Sequence, residues 1–196
     1  VVEDSVVLDK KKARVIYFVE PNQPYRIGNI EYVIEDTSLH ELIYEDTISS
    51  DLESGDMFDV DALSKERDRI EHYLKQRGYY YFSREYIYYQ ADSSYRTKIV
   101  DITLVVKRYR EVQEDGSFEE IPHPKASVEQ IYIHTNYKPR LALSNRGVYN
   151  TTLDTLTYDG IHILYSERDN INPGVIVGSS YLLPGNLYDI DDVMAT

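Results

Sequence analysis

Acidic side chains are the commonest groups in this chain able to do chemistry, and they bunch. Asp51, Glu53, Asp56, Asp59 and Asp61 fall in one run, and Asp189, Asp191 and Asp192 in another. Such oxygen-rich runs invite calcium. A calcium loop, however, alternates its oxygen ligands and ends on a bidentate glutamate at the twelfth position, which neither run does. Helix N-termini suit them better, because a carboxylate there accepts from free backbone N–H groups and meets the positive end of the helix dipole. His40, His72, His123, His134 and His162 are scattered. Only His134 and His162, expected on neighbouring strands, could meet, and a surface or hydrogen-bonded histidine is the simpler reading than a metal ligand. There is no Gly-x-Ser-x-Gly, no phosphate loop and no His-Glu-x-x-His, so no nucleophile is paired with a base by motif. Carboxylates are plentiful enough for sugar hydrolysis, but no spacing singles out a pair. The spacing therefore predicts no catalytic residue, no cofactor and no metal site.

Composition narrows the partners. Lys and Arg total 21 against 34 Asp and Glu in 196 residues, a formal charge of −13. A general nucleic-acid surface needs a basic face, and so does an electrostatic grip on anionic lipid. The basic triplet Lys10, Lys11 and Lys12 is the one local exception and is expected to flank a strand. With no cysteine there is no disulfide framework and no thiolate metal site. No apolar run reaches the ~18 residues of a membrane helix. The absence of an initiator Met leads us to expect a processed chain. Twenty tyrosines and no tryptophan suit strands and half-polar, adhesive surfaces.

The elements are organised by a repeat. Gly55-Asp56-Met57-Phe58-Asp59-Val60-Asp61-Ala62-Leu63 returns as Gly185-Asn186-Leu187-Tyr188-Asp189-Ile190-Asp191-Asp192-Val193. Gly, Asp and Asp are kept, and most of the other positions exchange like for like. Each copy reads as a tight Gly loop, an aromatic residue, and an Asp that caps a helix. Asp59 and Asp189 are the expected caps; Phe58 is placed to pack back on the first helix as an apolar staple, and Tyr188 is the matching aromatic of the second copy.

Around the first copy, residues 13–19 read as a strand ended by Pro21 and Pro24, and residues 27–34 as a second, with Ile30, Tyr32 and Ile34 on one face. Thr37 or Ser38 is placed to cap a short helix carrying Leu39, Leu42 and Ile43. The strongest helix is expected over 60–77, with Leu63, Ile70 and Leu74 as its buried stripe, Arg67 on the same side, and Lys65, Glu66, Asp68 and Glu71 on the flanks. Gly78 is placed to end it in a left-handed conformation. Residues 79–89 are too aromatic for a helix surface and read as a long strand. Phe82 and Ile87 have opposite parity along it, which asks for a bulge near Ser83 or Arg84 if both point inward. Residues 91–94 are expected to turn into a hairpin partner in which Val100, Ile102, Leu104 and Val106 alternate with Asp101, Thr103 and Val105. The order is strand, helix, helix, strand, strand: an α+β unit with two helices on a three-stranded mixed sheet.

The second unit restarts after an acidic, Pro-containing linker over 109–126, with a strand over 128–133. Ile30 to Gly55 spans 25 residues and Ile131 to Gly185 spans 54, so the second copy carries 29 extra. Those include the hairpin signal Asp159-Gly160 between apolar runs, followed by Asn172-Pro173 as a helix start with Val175 and Ile176 as its apolar face. The expected domains are 1–24, the closing strand of a preceding unit plus a linker; 25–108, a complete unit; 109–126, the linker; and 127–196, a second unit with an insertion at about 136–166, lacking its C-terminal strands by analogy.

This combination resembles the POTRA repeats that precede the barrel of outer-membrane protein assembly factors of the BamA and TamA kind. The resemblance rests on Pro24-Tyr25-Arg26-Ile27, on Gly55 to Asp59, on Leu63, Glu66, Arg67 and Ile70, and above all on Leu74-Lys75-Gln76-Arg77-Gly78-Tyr79-Tyr80. It continues more thinly through Leu183-Pro184-Gly185-Asn186-Leu187-Tyr188 and Asp192-Val193. It implies a non-enzymatic scaffold without cofactor on the periplasmic face of a Gram-negative outer membrane. Its partners would be unfolded outer-membrane proteins, accessory lipoproteins and a C-terminal membrane barrel, with no nucleic acid. Two-partner secretion pores carry such repeats too, and a plain structural spacer is the alternative. Tyr79, Tyr80, Tyr81, Phe82, Tyr86, Ile87, Tyr88 and Tyr89 read either as core and hairpin packing or as an edge strand on which another chain could add.

Overall fold

The computed structural model describes residues 2–9, 12–135, 153–166 and 172–196. It opens on a hairpin of β1 (Val2–Asp9) and β2 (Lys12–Val19), paired antiparallel. Only β2 was expected from the sequence. Val15, Ile16, Tyr17, Phe18 and Val19 are all exposed on it. Lys10 and Lys11 lie outside the described residues.

The expected α+β unit follows in the expected order: β3 (Arg26–Ile34), α1 (His40–Asp46), α2 (Val60–Lys75), β4 (Ile87–Ser94) and β5 (Ile99–Val106). β5 is the middle strand, parallel to β3 and antiparallel to β4. Its inward residues Val100, Ile102, Leu104 and Val106 are at most 3% exposed, because the two helices cover that face of the sheet. Leu104, Val106, Ile87, Phe82 and Tyr79 join Leu39, Ile43, Ile70 and Leu74 in one apolar cluster.

Helix α2 forms where a capped, amphipathic stretch dictates it. The Asp59 carboxylate accepts from the Asp61 backbone N–H at 2.9 Å. At the other end Gly78 sits at φ +93°, and the Tyr79 N–H bonds back to the Leu74 carbonyl, satisfying a helix-end acceptor. The helix ends at Lys75, two residues before the expected Arg77. Glu66, expected on a flank, is 2% exposed. It lies three residues after Leu63 and four before Ile70, so it falls on the buried stripe. Arg69 compensates it with a bidentate pair of 2.8 and 2.9 Å and also bonds Asp46 at the end of α1. These acids, and desolvation working against them, leave the Arg69 pKa raised above its ordinary value. At α1 neither Thr37 nor Ser38 caps; Asp36 accepts from Ser38, and Leu39 occupies the cap position without a side-chain bond.

Two strand expectations are corrected. Residues 79–86 are not strand: after Gly78 the chain makes a tight turn closed by Phe82 N–H to the Tyr79 carbonyl, then a 3-10 turn over Arg84–Tyr86 capped by Ser83. That detour brings both Phe82 and Ile87 inward with no bulge. Residues 91–94, expected to turn, belong to β4, and the turn lies at Tyr95 to Lys98.

The linker is also more ordered than expected. It forms a hairpin of β6 (Tyr109–Val112) and β7 (Phe118–Ile121), whose turn is held by Asp115 accepting from Ser117. His123 then anchors it to the first unit. Its backbone N–H and Nδ1 both meet Asp36 Oδ2, at 2.6 and 2.8 Å, with both side chains buried. Burial lowers the His123 pKa despite the opposing Asp36 charge; burial raises that of Asp36, but its hydrogen bonds to Ser38 and His123 prevail and leave it lowered.

Beyond the linker, β8 (Ile131–His134), β9 (Asp154–Tyr158) and β10 (Ile161–Tyr165) make a second mixed sheet, followed by α3 (Pro173–Gly178) and α4 (Ile190–Ala195). Asp159 and Gly160, both at positive φ, form the expected hairpin turn. Asn172 holds the position before α3 and Pro173 its first turn, as expected, but the Asn172 side chain makes no capping bond, and the half-buried pair is Ile176 and Val177, Val175 being exposed. His162 stacks on Tyr132, centroids 4.8 Å apart. The 136–152 part of the insertion lies outside the described residues.

Candidate functional site: an open sheet edge

The first sheet has two margins, and they differ. On the β3 side the repeated loop covers the start of the strand: Gly55 N–H bonds the Ile27 carbonyl, Ile27 N–H the Asp56 carbonyl, and Phe58 N–H the Tyr25 carbonyl, at 2.8, 2.8 and 2.9 Å. Further along, the Tyr44 hydroxyl donates to the Tyr32 carbonyl at 3.0 Å. On the β4 side, among the described residues, no strand pairs.

Which backbone groups of β4 face outward follows from one bond. Lys107 N–H donates to the Tyr86 carbonyl at 2.9 Å, and hydrogen-bonded pairs alternate along an antiparallel ladder. Tyr88, Gln90, Asp92 and Ser94 therefore turn their N–H and C=O toward β5, while Ile87, Tyr89, Ala91 and Ser93 turn theirs away. The margin is eight residues long and contains no Pro, no Lys and one charge, Asp92, so it carries few of the devices that block edge pairing.

Helix α2 holds the start of this margin. Arg67 Nε and Nη2 donate to the Arg84 carbonyl at 3.1 and 2.8 Å, and the Arg84 N–H donates to Glu71 at 2.9 Å. Further along, the Tyr89 hydroxyl reaches over the core to the Leu63 carbonyl at 3.1 Å, and burial raises its pKa. Thus Leu63, Arg67, Ile70 and Leu74, predicted as structural residues, seat and support the strand.

Of the eight residues proposed from sequence as an edge, Ile87, Tyr88 and Tyr89 lie on β4. Ile87 is 1% exposed, with its side chain in the core. Tyr79 and Phe82 are core residues, and Tyr86 closes the 3-10 turn among Phe82, Tyr109 and His123. Tyr80 and Tyr81 are exposed but point to other partners, Tyr188 and Tyr109. Gln90, Ala91, Asp92, Ser93 and Ser94, which complete the margin, were missed. Counting back from the eight residues of β5 through a four-residue turn would have found them.

The open face of the sheet beside this margin is a shallow polar depression lined by Asn29, Glu31, Gln90, Asp92, Asp101 and Thr103. Asp92 and Asp101 stand opposite each other there, and Asp101 is engaged by the Asn29 N–H at 2.7 Å. Among the described residues no cluster of His, Asp or Glu could hold a metal ion.

The second sheet repeats the plan. Gly185 N–H bonds the Val128 carbonyl, Val128 N–H the Asn186 carbonyl, and Tyr188 N–H the Ala126 carbonyl, at 2.7, 2.8 and 2.9 Å. Asp189 caps α4 by accepting from the Asp191 N–H at 2.8 Å. Gly55 and Gly185 stand at φ +98° and +88°. Ser127 bridges Leu187 as Arg26 bridges Met57. The repeat read from sequence is therefore a repeat in space, bond for bond.

No protein-family model matches this sequence, and no curated protein sequence matches it. Among solved structures, the chain is similar to the crystal structure of POTRA domains 3 to 5 of BamA from Haemophilus influenzae, with 16% identity and a TM-score of 0.49. The match covers 98% of this chain and 57% of that one.

Proposed function

We propose that this chain is a polypeptide-binding scaffold that receives extended segments of unfolded outer-membrane proteins by strand addition to β4. The observation that carries the reading is the asymmetry of the first sheet: the chain's own loop and the Tyr44 hydroxyl bond the outer side of β3 at Ile27 and Tyr32, whereas among the described residues the outer side of β4 takes no such bonds. Main-chain bonds from Ile87, Tyr89, Ala91 and Ser93 give affinity with little dependence on client sequence, which suits a carrier of many different chains. The sequence resemblance to POTRA repeats supports placing the scaffold on the periplasmic face of a Gram-negative outer membrane, beside accessory lipoproteins and a C-terminal membrane barrel. In this reading it is a carrier, not an enzyme, and the domains are residues 25–108 and 127–196 joined by the 109–126 hairpin linker.

The test uses proline, which removes an N–H. Ala91→Pro and Ser93→Pro delete outward donors on exposed positions and leave the ladder to β5 intact. Each is expected to lower photo-crosslinking to a peptide from a membrane-barrel strand several-fold, with the far-ultraviolet circular dichroism unchanged. Undiminished crosslinking by a folded double variant would contradict strand addition and favour the spacer alternative.

A further inference from the structure

The two copies of the repeated loop have different neighbours. In the second, the loop and first helical turn sit against the C-terminal end of α2. The Tyr188 ring stands edge-on to Tyr80, centroids 4.9 Å apart. The Asp191 carboxylate accepts from Gln76 Nε2 at 2.6 Å and faces His72 Nε2 at 3.1 Å. Leu187 lies over Gly78, where an added Cβ would come within 3.3 Å of its Cδ2. The partner is thus a helix end with two donor side chains one turn apart, then a glycine and an aromatic. Leu187 remains 53% exposed, so the seat is shallow and its selectivity lies in Asp191 and Tyr188. The acid-rich first turn of α4 meets the basic last turn of α2, and head-to-tail helix dipoles favour that arrangement.

In the first copy the same three main-chain bonds and the same Asp cap build the same shape. Met57, Phe58 and Asp61 then occupy the places of Leu187, Tyr188 and Asp191. Met57 is 60% exposed, Phe58 is half-buried against the core of its own unit with part of its ring still accessible, and among the described residues the Asp61 carboxylate has no hydrogen-bond or ion-pair partner. We propose that Met57, Phe58 and Asp61 form a docking surface for the C-terminal helix end of another unit of this kind, one presenting a His/Gln-type donor pair followed by Gly and an aromatic residue. The contact joins unlike surfaces, so it stacks units in line and does not close a two-fold dimer. It stands independently of client binding at β4.

Within this chain the end of α2 is already taken, so the experiment vacates it. Full-length chains carry Met57→benzoylphenylalanine, with or without Tyr188→Ala and Asp191→Ala. Irradiation of the vacated chain is expected to yield crosslinked dimers mapping to residues 72–80 of the second molecule. They should be several-fold more abundant than in the chain with its loop intact, and several-fold fewer once Asp61→Ala is added. Asp191→Ala alone, at an exposed position, gives the same comparison without touching the packing of Tyr188. Crosslinks that are absent, scattered, equally abundant with the helix end occupied, or insensitive to Asp61→Ala would overturn the proposal.

Discussion

The two sheets reach the same arrangement by different chain orders. In the first, β5 lies parallel beside β3 and β4 forms the margin, after two helices have intervened. In the second, β10 lies parallel beside β8 and β9 forms the margin, yet this hairpin precedes α3 and α4. Register matches as well: Ile30 and Tyr32 pair with Ile102 and Leu104, and Ile131 and Ile133 with Ile161 and Ile163. The place beside the first strand is therefore specified by an inward apolar pair and a parallel register, and a hairpin from elsewhere in the chain can fill it. The margins that result are unequal. β4 is eight residues long, whereas β9 is five and has α3 beside it, with Gly174 near the Tyr158 hydroxyl.

Three substitutions probe that comparison first. Leu104→Ala and Ile163→Ala remove equivalent side chains, both fully buried; each should cost about 4 kcal/mol in urea unfolding. If the sheets are separate structures, Ile163→Ala leaves the amides of β4 and β5 protected from hydrogen exchange, and loss of protection there would join the two into one unit. Asp36→Ala acts on the first unit alone. It strands the buried His123 donors, removes the partner of exposed Ser38, and should cost about 3 kcal/mol.

The same dyad gives the first unit a pH dependence. Folded His123 takes its proton below the ordinary histidine range, so the unfolded chain binds more protons as pH falls through about 6.5. Stability is thus fully present above that range and is lost on acidification. Asp36, also lowered, adds a loss at lower pH still. His123→Gln should flatten the loss between neutral pH and the range where Asp36 titrates; an unchanged profile would remove the dyad from the account.

Smaller effects compare the repeated loops. Gly55→Ala and Gly185→Ala meet no neighbouring atom within 4 Å but force a positive φ, at about 1 kcal/mol each. Gly78→Ala forces a positive φ too and brings its Cβ within 3.3 Å of Leu187 Cδ2, a contact the half-exposed leucine relieves by a small shift, so its cost should be similar. Asp59→Ala and Asp189→Ala should each remove about 1 kcal/mol by unmaking a cap. Clearly unequal costs within either equivalent pair would break the equivalence of the loops.

What was legible in the sequence was what local chemistry decides. The caps at Asp59 and Asp189, the left-handed end at Gly78, the stripe of α2 and the Asp159-Gly160 hairpin need no distant partner. The errors came where tertiary contacts prevail. Aromatic residues 79–86 suggest a strand by propensity, yet the Gly78 turn and the Ser83 cap fold them into a knot that plugs the core. Ala91 to Ser94 are poor strand formers and are held extended only because β5 lies beside them. Glu66 read as a flanking charge, and its burial depends on Arg69 together with Asp46 from α1, a contact no local pattern announces. The hairpin turn at Asp115-Gly116 carried the same signal as Asp159-Gly160 and was passed over amid acidic neighbours.

The open margin is tested most directly by amide hydrogen exchange along β4, read by nuclear magnetic resonance with and without an extended peptide from a membrane-barrel strand. In the free protein the N–H groups of Tyr88, Gln90 and Asp92 should exchange slowly and those of Tyr89, Ala91 and Ser93 fast. With the peptide present, Tyr89, Ala91 and Ser93 should gain protection. Outward amides already protected in the free chain, or protection gained at β9 or β3 and not at β4, would contradict the account.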